Sequence, residues 1–191
     1  MESTQYEVRR IFGLLFICVA IAVAIASVAS EIIFLNNLPR FVYGIVWFGV
    51  FGSIFSLYFL SFKKRIPLIL NRMKNSLAWP LYIKIINGSC WALPFGLIAI
   101  FPQYFQYLIL LGIGSGNFST YIFMKLFSNQ NNKEQILVGL TALLAIPIAI
   151  EIDTSLFVSY QDIAILLSRI LISISYAIGG AYALFSKIKL E

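Results

Sequence analysis

Histidine is absent from this chain of 191 residues. Without imidazole the chain cannot build a bis-histidine haem site, a histidine-ligated metal site or a Ser-His-Asp triad. The two cysteines, Cys18 and Cys90, are too far apart for a Cys-x-x-Cys motif, and each lies in an apolar run. An Asp-rich metal motif is also lacking. We therefore expect no catalytic residue, no metal site and no cofactor, and an intramembrane enzyme is the least favoured class.

Charged residues are scarce as well, at 12% of the chain, whereas soluble domains carry about a quarter. Hydrophobic residues make up 60%, and the mean hydropathy is +0.90. This composition predicts a multi-pass protein of the cell membrane, with residues 1–191 as one polytopic domain. The net charge of +6 does not indicate nucleic acid, because the basic residues flank apolar segments.

Long apolar segments define the expected fold. In lipid a spanning segment must satisfy its backbone hydrogen bonds internally, so it must be a helix, and about 20 residues cross the hydrocarbon core. The sequence predicts an all-α six-helix bundle. The predicted spans are 11–35, 41–62, 78–100, 104–126, 135–152 and 161–185.

The basic residues predict the orientation of these spans. With six spans, nearly all basic residues outside the helices fall on one side, which is the cytoplasmic side by the positive-inside rule. Both termini are then cytoplasmic. The residues on this side are Arg9, Arg10, Lys63, Lys64, Arg65, Arg72, Lys74, Lys125, Lys133, Lys187 and Lys189; Arg40 is on the other side.

The first segment resembles a secretory signal in its basic start and small-residue end. Its run of about 25 apolar residues is long for such a signal, so we expect a retained helix. Small residues are dense in it, and we expect Ala20 and Ala24 to lie in a close helix contact.

The segment 63–76, KKRIPLILNRMKNS, interleaves basic and apolar residues. One interpretation is an interfacial loop attracted to anionic lipid. The other is a short amphipathic helix, with Pro67 in its first turn, that docks on a cytoplasmic partner.

The stretch 111–120, LGIGSGNFST, concentrates small and polar residues in the fourth span. It lacks the lysine of a phosphate-binding loop, and no histidine is available to serve a serine nucleophile. On a helix, Gly112, Ser115, Gly116 and Ser119 share one face and form two overlapping small-xxx-small pairs. We expect helix packing there. The other interpretation is a substrate-lining helix, with Asn117 at the edge of the face as the polar contact.

Arg169 is the principal candidate for function, because intramembrane charges are functional-site hypotheses by default. Along the sixth span it shares a polar stripe with Asp162, Ser173 and Tyr176. One interpretation is a structural ion pair of Arg169 with a carboxylate near the outer surface; the candidates are Asp162, Glu151 and Glu31. The other is a cationic contact for an anionic ligand, or a gate on a pathway between helices.

Two functions follow from this pattern. The first is a transport or permease component for a small solute. Six spans with both ends inside and a basic second cytoplasmic connection are similar in architecture to membrane subunits of some ATP-driven transporters, such as ABC-2-type permeases and the substrate-binding subunits of energy-coupling-factor transporters. The second is a non-catalytic accessory subunit of a respiratory or secretion assembly. Expected partners are the bilayer, other membrane subunits or further copies of the chain.

Overall fold

The computed structural model describes residues 2–39, 41–67, 70, 74 and 79–186. Its long helices are α1 (Glu2–Leu35), α2 (Phe41–Ser61), α3 (Leu81–Leu97), α4 (Phe105–Ser128), α5 (Lys133–Glu151) and α6 (Gln161–Phe185). The described ranges contain no strand, so the prediction of an all-helical bundle is confirmed. Every long helix except α3 is long and apolar enough to cross a membrane, which indicates a membrane protein.

Prolines and asparagines define several helix ends. The third predicted span begins at residue 78, whereas the third helix begins at Leu81. Pro80 lies in extended backbone just before Leu81, with φ of −53° and ψ of 148°, and a proline disfavours helical backbone in the residue before it. Asn37 and Asn129 follow α1 and α4 with φ of 50°, a left-handed conformation that asparagine tolerates better than most residues.

Two helices are longer than the apolar pattern predicted. The first begins at Glu2 rather than at residue 11, so its polar first turns precede the apolar run. Helix α5 continues beyond Glu151 as a π-helical turn over Ile152–Leu156. In contrast, the connection between α3 and α4 is short, in agreement with the three residues left between the predicted spans 78–100 and 104–126, and it includes a 3-10 turn over Pro102–Tyr104.

The helices run up and down, and each end of the bundle is named here after an arginine. At the Arg9 end, α1 begins and α2 ends, and the Tyr58 hydroxyl donates a hydrogen bond to the Ile11 carbonyl at 2.9 Å. There the Trp79 indole also donates to the Ser128 hydroxyl at 2.9 Å. The Arg169 end holds the connections that follow α1, α3 and α5.

Neighbouring helices follow the order α2, α1, α6, α5, α4, α3. The core lies among the four middle helices and includes Phe16, Leu110, Val138 and Ile172. The flanking helix α2 buries only Tyr58 among its described side chains, and Phe48 on its outer surface is 84% exposed. An apolar surface of this kind is suited to contact with lipid.

Three glycines bring α1, α6 and α5 unusually close near the Arg9 end. A Cβ atom at Gly180 would lie 2.9 Å from the Gly13 carbonyl oxygen of α1. A Cβ atom at Gly179 would lie 2.8 Å from the Glu134 carbonyl oxygen of α5 and would overlap the Val138 side chain. Helix α6 therefore has no side-chain atoms at Gly179 and Gly180, so the backbones of α5 and α1 approach it closely at these positions.

Half of the basic and apolar segment 63–76 lies outside the described residues, as do Arg40, Lys187 and Lys189. Lys63 and Lys64 lie just after α2 and are exposed. These residues line a groove at the end of α2, and residues 66, 67, 70 and 74 of the same segment are helical.

Candidate functional site

Arg169 lies about two turns inside α6, measured from its beginning at Gln161. Its side chain is half-buried, and its guanidinium carbon lies 5.9 Å from the centre of the Phe105 ring of α4. Among the described groups, Tyr43 of α2 and Glu31 of α1 interact electrostatically with this guanidinium. Four helices therefore converge on this guanidinium.

The expected ion pair of Arg169 is not found within the described ranges. A salt-bridge distance of 4.0 Å or less joins its guanidinium to none of the described carboxylates. The Glu31 carboxyl group instead interacts directly with the Asp162 carboxyl group, and Arg169 acts on Glu31 from farther away. Two adjacent carboxylates repel each other unless they share a proton or a cation lies beside them.

Glu151 is exposed at the end of α5, and no ion pair joins it to Arg169 among the described residues. The π turn that follows it carries Asp153, whose carboxylate accepts a hydrogen bond from the Tyr107 hydroxyl of α4. The side-chain amide of Gln161 donates weakly, at 3.4 Å, to the Asp153 carbonyl oxygen. Asp153 therefore ties α4 to the connection between α5 and α6.

The remaining residues of the polar stripe on α6 make contacts between helices. The Ser173 hydroxyl donates to the Ala20 carbonyl of α1 at 2.7 Å. The Tyr176 ring meets Phe16 edge to face at 5.7 Å, and the buried Asn117 side chain donates a hydrogen bond to the Ile113 carbonyl of its own helix at 2.9 Å. The stripe thus divides into a charged part at the Arg169 end and a part used in packing.

The small face of α4 meets α3. Gly112 lies against the Phe95 ring, and Gly116 lies against the Trp91 indole, so closely that a Cβ atom would overlap either ring. The Ser115 hydroxyl lies 2.8 Å from the Cys90 carbonyl oxygen and donates to it. This face is covered by another helix rather than open to a pathway.

A small polar network accompanies this contact. The Asn87 side-chain carbonyl of α3 accepts hydrogen bonds from Ser119 at 2.8 Å and Thr120 at 3.0 Å. The Trp91 indole donates to the Thr120 hydroxyl at 3.1 Å. In α1, Ala20 is buried against α6, and Ala24 is half-buried.

A second charged group, absent from the sequence-based candidates, lies at the Arg9 end. The Arg9 Nε atom lies 3.7 Å from the Glu134 Oε2 atom. The Arg9 guanidinium also lies over the Tyr182 ring, 4.9 Å from its centre. The Glu134 side chain is 2% exposed. Sequence reasoning treated Arg9 as a flanking charge, although a lone acidic residue directly after Lys133, at the start of α5, was a signal of a paired role.

Comparison of the chain with protein-family models, with curated proteins and with solved structures finds no match. Among the described residues, histidine, cysteine and acidic side chains form no group of three that could hold a metal ion. What the geometry offers is charge recognition. At one end, the Arg169 guanidinium has no ion-pair partner among the described residues and lies near Glu31, which interacts with Asp162. At the other end, Arg9 pairs with the buried Glu134 side chain.

Proposed function

We propose that this protein is a transport or permease component for a small solute that carries an anionic group, and that Arg169 binds that group. The observation that carries the proposal is that the Arg169 guanidinium, among α1, α2, α4 and α6, has no ion-pair partner within the described residues.

The physical argument starts from the hydrogen-bonding capacity of Arg169. A guanidinium has five N–H donors, and a half-buried one is stabilised when a carboxylate or phosphate accepts two of them as a fork. Within the described part of the chain, Arg169 makes a ring contact with Phe105 but no hydrogen bond and no ion pair. A bound anionic group would supply the missing acceptors.

The two carboxyl groups beside Arg169 narrow the solute class. Glu31 and Asp162 would repel a simple anion, but they would attract the ammonium group of a zwitterion. An amino acid places a carboxylate and an ammonium group a few ångströms apart. We therefore favour a zwitterionic solute, with its carboxylate at Arg169 and its ammonium group at the carboxyl pair.

We expect amino acids to raise the melting temperature of the purified protein, and Arg169→Gln to abolish the rise. A ligand at a hundred times its Kd stabilises by about 2.7 kcal/mol, which corresponds to several °C in Tm. The measurement is thermal unfolding in detergent with four probes: an amino acid mixture, a dicarboxylate, inorganic phosphate and a neutral sugar.

Arg10→Gln is the matched control, because Arg10 is exposed at the opposite end of the bundle. It should respond to the solutes as the wild-type protein does. Arg169→Lys should respond weakly, since an ammonium group lacks the planar fork. An equal rise in Tm for Arg169→Gln and the wild-type protein would refute the proposal.

The same proposal requires an orientation, and we propose that the Arg9 end faces the cytoplasm. The described basic residues outside Arg169 lie toward the Arg9 end, which also holds Glu7 and Glu134, whereas the described charged residues at the Arg169 end are acidic apart from Arg169. The basic group is Arg9, Arg10, Lys63, Lys64, Lys74, Lys84, Lys125 and Lys133; the acidic group at the Arg169 end is Glu31, Glu151, Asp153 and Asp162.

Cysteine labelling tests this orientation. In a Cys18→Ser, Cys90→Ser background, we expect Ser159→Cys to react with an impermeant maleimide in intact cells. Asn131→Cys should react only after the membrane is permeabilised. Both positions are exposed and lie in connections at opposite ends of the bundle. The reverse pattern would place the Arg169 end inside the cell.

A second candidate function is an accessory subunit, favoured by small residues that face away from the bundle. A Cβ atom at Gly49 or Gly52 of α2, or at Gly88 or Gly96 of α3, would meet nothing within 4 Å. In lipid, such surfaces allow close approach of another helix. Purification from native membranes tests it: a partner that is retained by the wild-type protein and lost with Gly52→Leu would favour this function.

A further inference from the structure

The Arg9–Glu134 ion pair joins α1 to α5 across α6. The two side chains face each other as in a bidentate arginine–carboxylate pair, but their atoms lie too far apart for its hydrogen bonds. The Arg9 Nε and Nη2 atoms are buried, and within the described residues neither donates a hydrogen bond. These two atoms form the side of a guanidinium that binds a carboxylate through two parallel hydrogen bonds. The Glu134 carboxylate faces this side at 3.7 Å, beyond hydrogen-bonding distance.

The three glycines described above make this pairing possible. Gly180 and Gly13 bring α1 against one side of α6, and Gly179 brings α5 against another side. Residues 9 and 134 belong to helices on either side of α6. A larger side chain at Gly179 or Gly180 would hold α1 and α5 apart, and Arg9 would lose its partner.

The two ends of the bundle differ in their charged groups. At the Arg169 end, the guanidinium has no ion-pair partner among the described carboxylates, and the nearby Glu31 and Asp162 are half-exposed. At the Arg9 end, the cation is paired and the carboxylate is 2% exposed. Among the described residues, the charged pair at the Arg9 end is therefore more shielded from solvent than the carboxyl groups at the Arg169 end.

We propose that the Arg9–Glu134 pair is the contact that keeps the Arg9 end closed, and that it must separate for a solute to pass. This inference rests on the proposed transport function. The pair suits the role because the Arg9 Nε and Glu134 Oε2 atoms attract each other at 3.7 Å without a direct hydrogen bond between them, so it joins two helices by charge without a fixed bonded geometry. Removing Glu134 takes the ion-pair partner from the buried Nε and Nη2 atoms of Arg9, which favours a conformation in which water reaches them.

The test measures access to Ser186, one turn beyond Tyr182 at the end of α6. The Ser186 hydroxyl oxygen is buried. Ser186→Cys in the Cys18→Ser, Cys90→Ser background therefore carries a shielded thiol. Its reaction with an impermeant maleimide is followed in membrane vesicles whose Arg9 end faces the reagent. We expect Glu134→Gln to raise the reaction rate by about tenfold, as a corresponding shift in the open population would.

Three further variants make the result specific. Lys133→Gln changes the charge beside Glu134 on an exposed side chain and should leave the rate unchanged. The exchange of Arg9→Glu with Glu134→Arg should return the rate toward that of the wild type. Glu134→Asp keeps the charge on a shorter side chain and should give an intermediate rate; it also replaces Glu134→Gln if that variant does not yield a monodisperse protein.

Wild-type reaction rates for both Arg9→Gln and Glu134→Gln would overturn the inference, as would an exchanged pair that reacts as fast as the single variants. The labelling needs no solute, so its outcome is separate from that of the solute panel. If labelling rises while no solute stabilises the protein, the transport proposal fails and the closing contact stands. If solutes stabilise the protein and labelling is unchanged, only the closing contact fails.

Discussion

Replacement of Gly179 by leucine should separate α5 from α6 and destabilise the protein by about 3 kcal/mol or more, at or above the upper end for overpacked sites. A Cβ atom at this position would lie 2.8 Å from the Glu134 carbonyl oxygen and would overlap Val138. The first neighbour is backbone inside α5, so it cannot rotate away. The whole helix must shift, and the shift also pulls Glu134 away from Arg9.

The measurement is the loss of monodisperse protein on heating in detergent, with an expected fall of about 10 °C in the midpoint. Gly52→Leu is the matched control, since a Cβ atom at Gly52 of α2 would meet nothing within 4 Å. It should unfold at the wild-type temperature when the protein is purified alone. A Gly179→Leu variant as stable as Gly52→Leu would contradict the close contact between α5 and α6.

Gly116→Leu should detach α3 from α4, with the second-largest effect. A side chain at position 116 would occupy the space of the Trp91 indole ring. Displacing that ring would also break its hydrogen bond to Thr120 and separate Asn87 from Ser119. Since α4 is the helix against which α3 packs, little else holds α3 in place, although it stays helical in lipid.

A disulfide between positions 87 and 119 reports this contact. In the Cys18→Ser, Cys90→Ser background, Asn87→Cys and Ser119→Cys replace side chains whose oxygen atoms lie 2.8 Å apart. Oxidation should remove both thiols from reaction with a polymer-linked maleimide, and Gly116→Leu should reduce that protection about tenfold if detachment costs about 1.4 kcal/mol. Gly96→Leu is the control on α3, where a Cβ atom meets nothing within 4 Å. Protection that persists in Gly116→Leu would refute detachment.

The apolar pattern was sufficient for the helices themselves, because a segment in lipid has no other way to satisfy its backbone. Ends with a local signal also followed from sequence, as at Pro102 between α3 and α4. The apolar pattern did not predict helical segments that have no apolar signature of their own. The polar first turns of α1 are helical from Glu2, and the π turn after Glu151 has no apolar signature that separates it from ordinary helix.

Within the polar stripe of α6, sequence placed Asp162, Arg169, Ser173 and Tyr176 on one face but could not say what each would contact. Helical periodicity gives the direction of a side chain from its own axis and contains nothing about the neighbouring helix. Packing directed Ser173 to the Ala20 carbonyl of α1, while Arg169 was left near Phe105 and without an ion pair among the described residues.

The Arg9–Glu134 pair shows most clearly what tertiary structure decided. The two residues are far apart in sequence, on helices at either side of α6, and no local rule relates them. They meet because Gly179 and Gly180 remove side-chain bulk from two sides of α6. The sequence by itself determined that the chain forms apolar helices and where charge collects, through backbone hydrogen bonding and the cost of charge in lipid. The order of the helices and the partners of each charge depended on which small residues let two backbones approach, and only packing in three dimensions decides that.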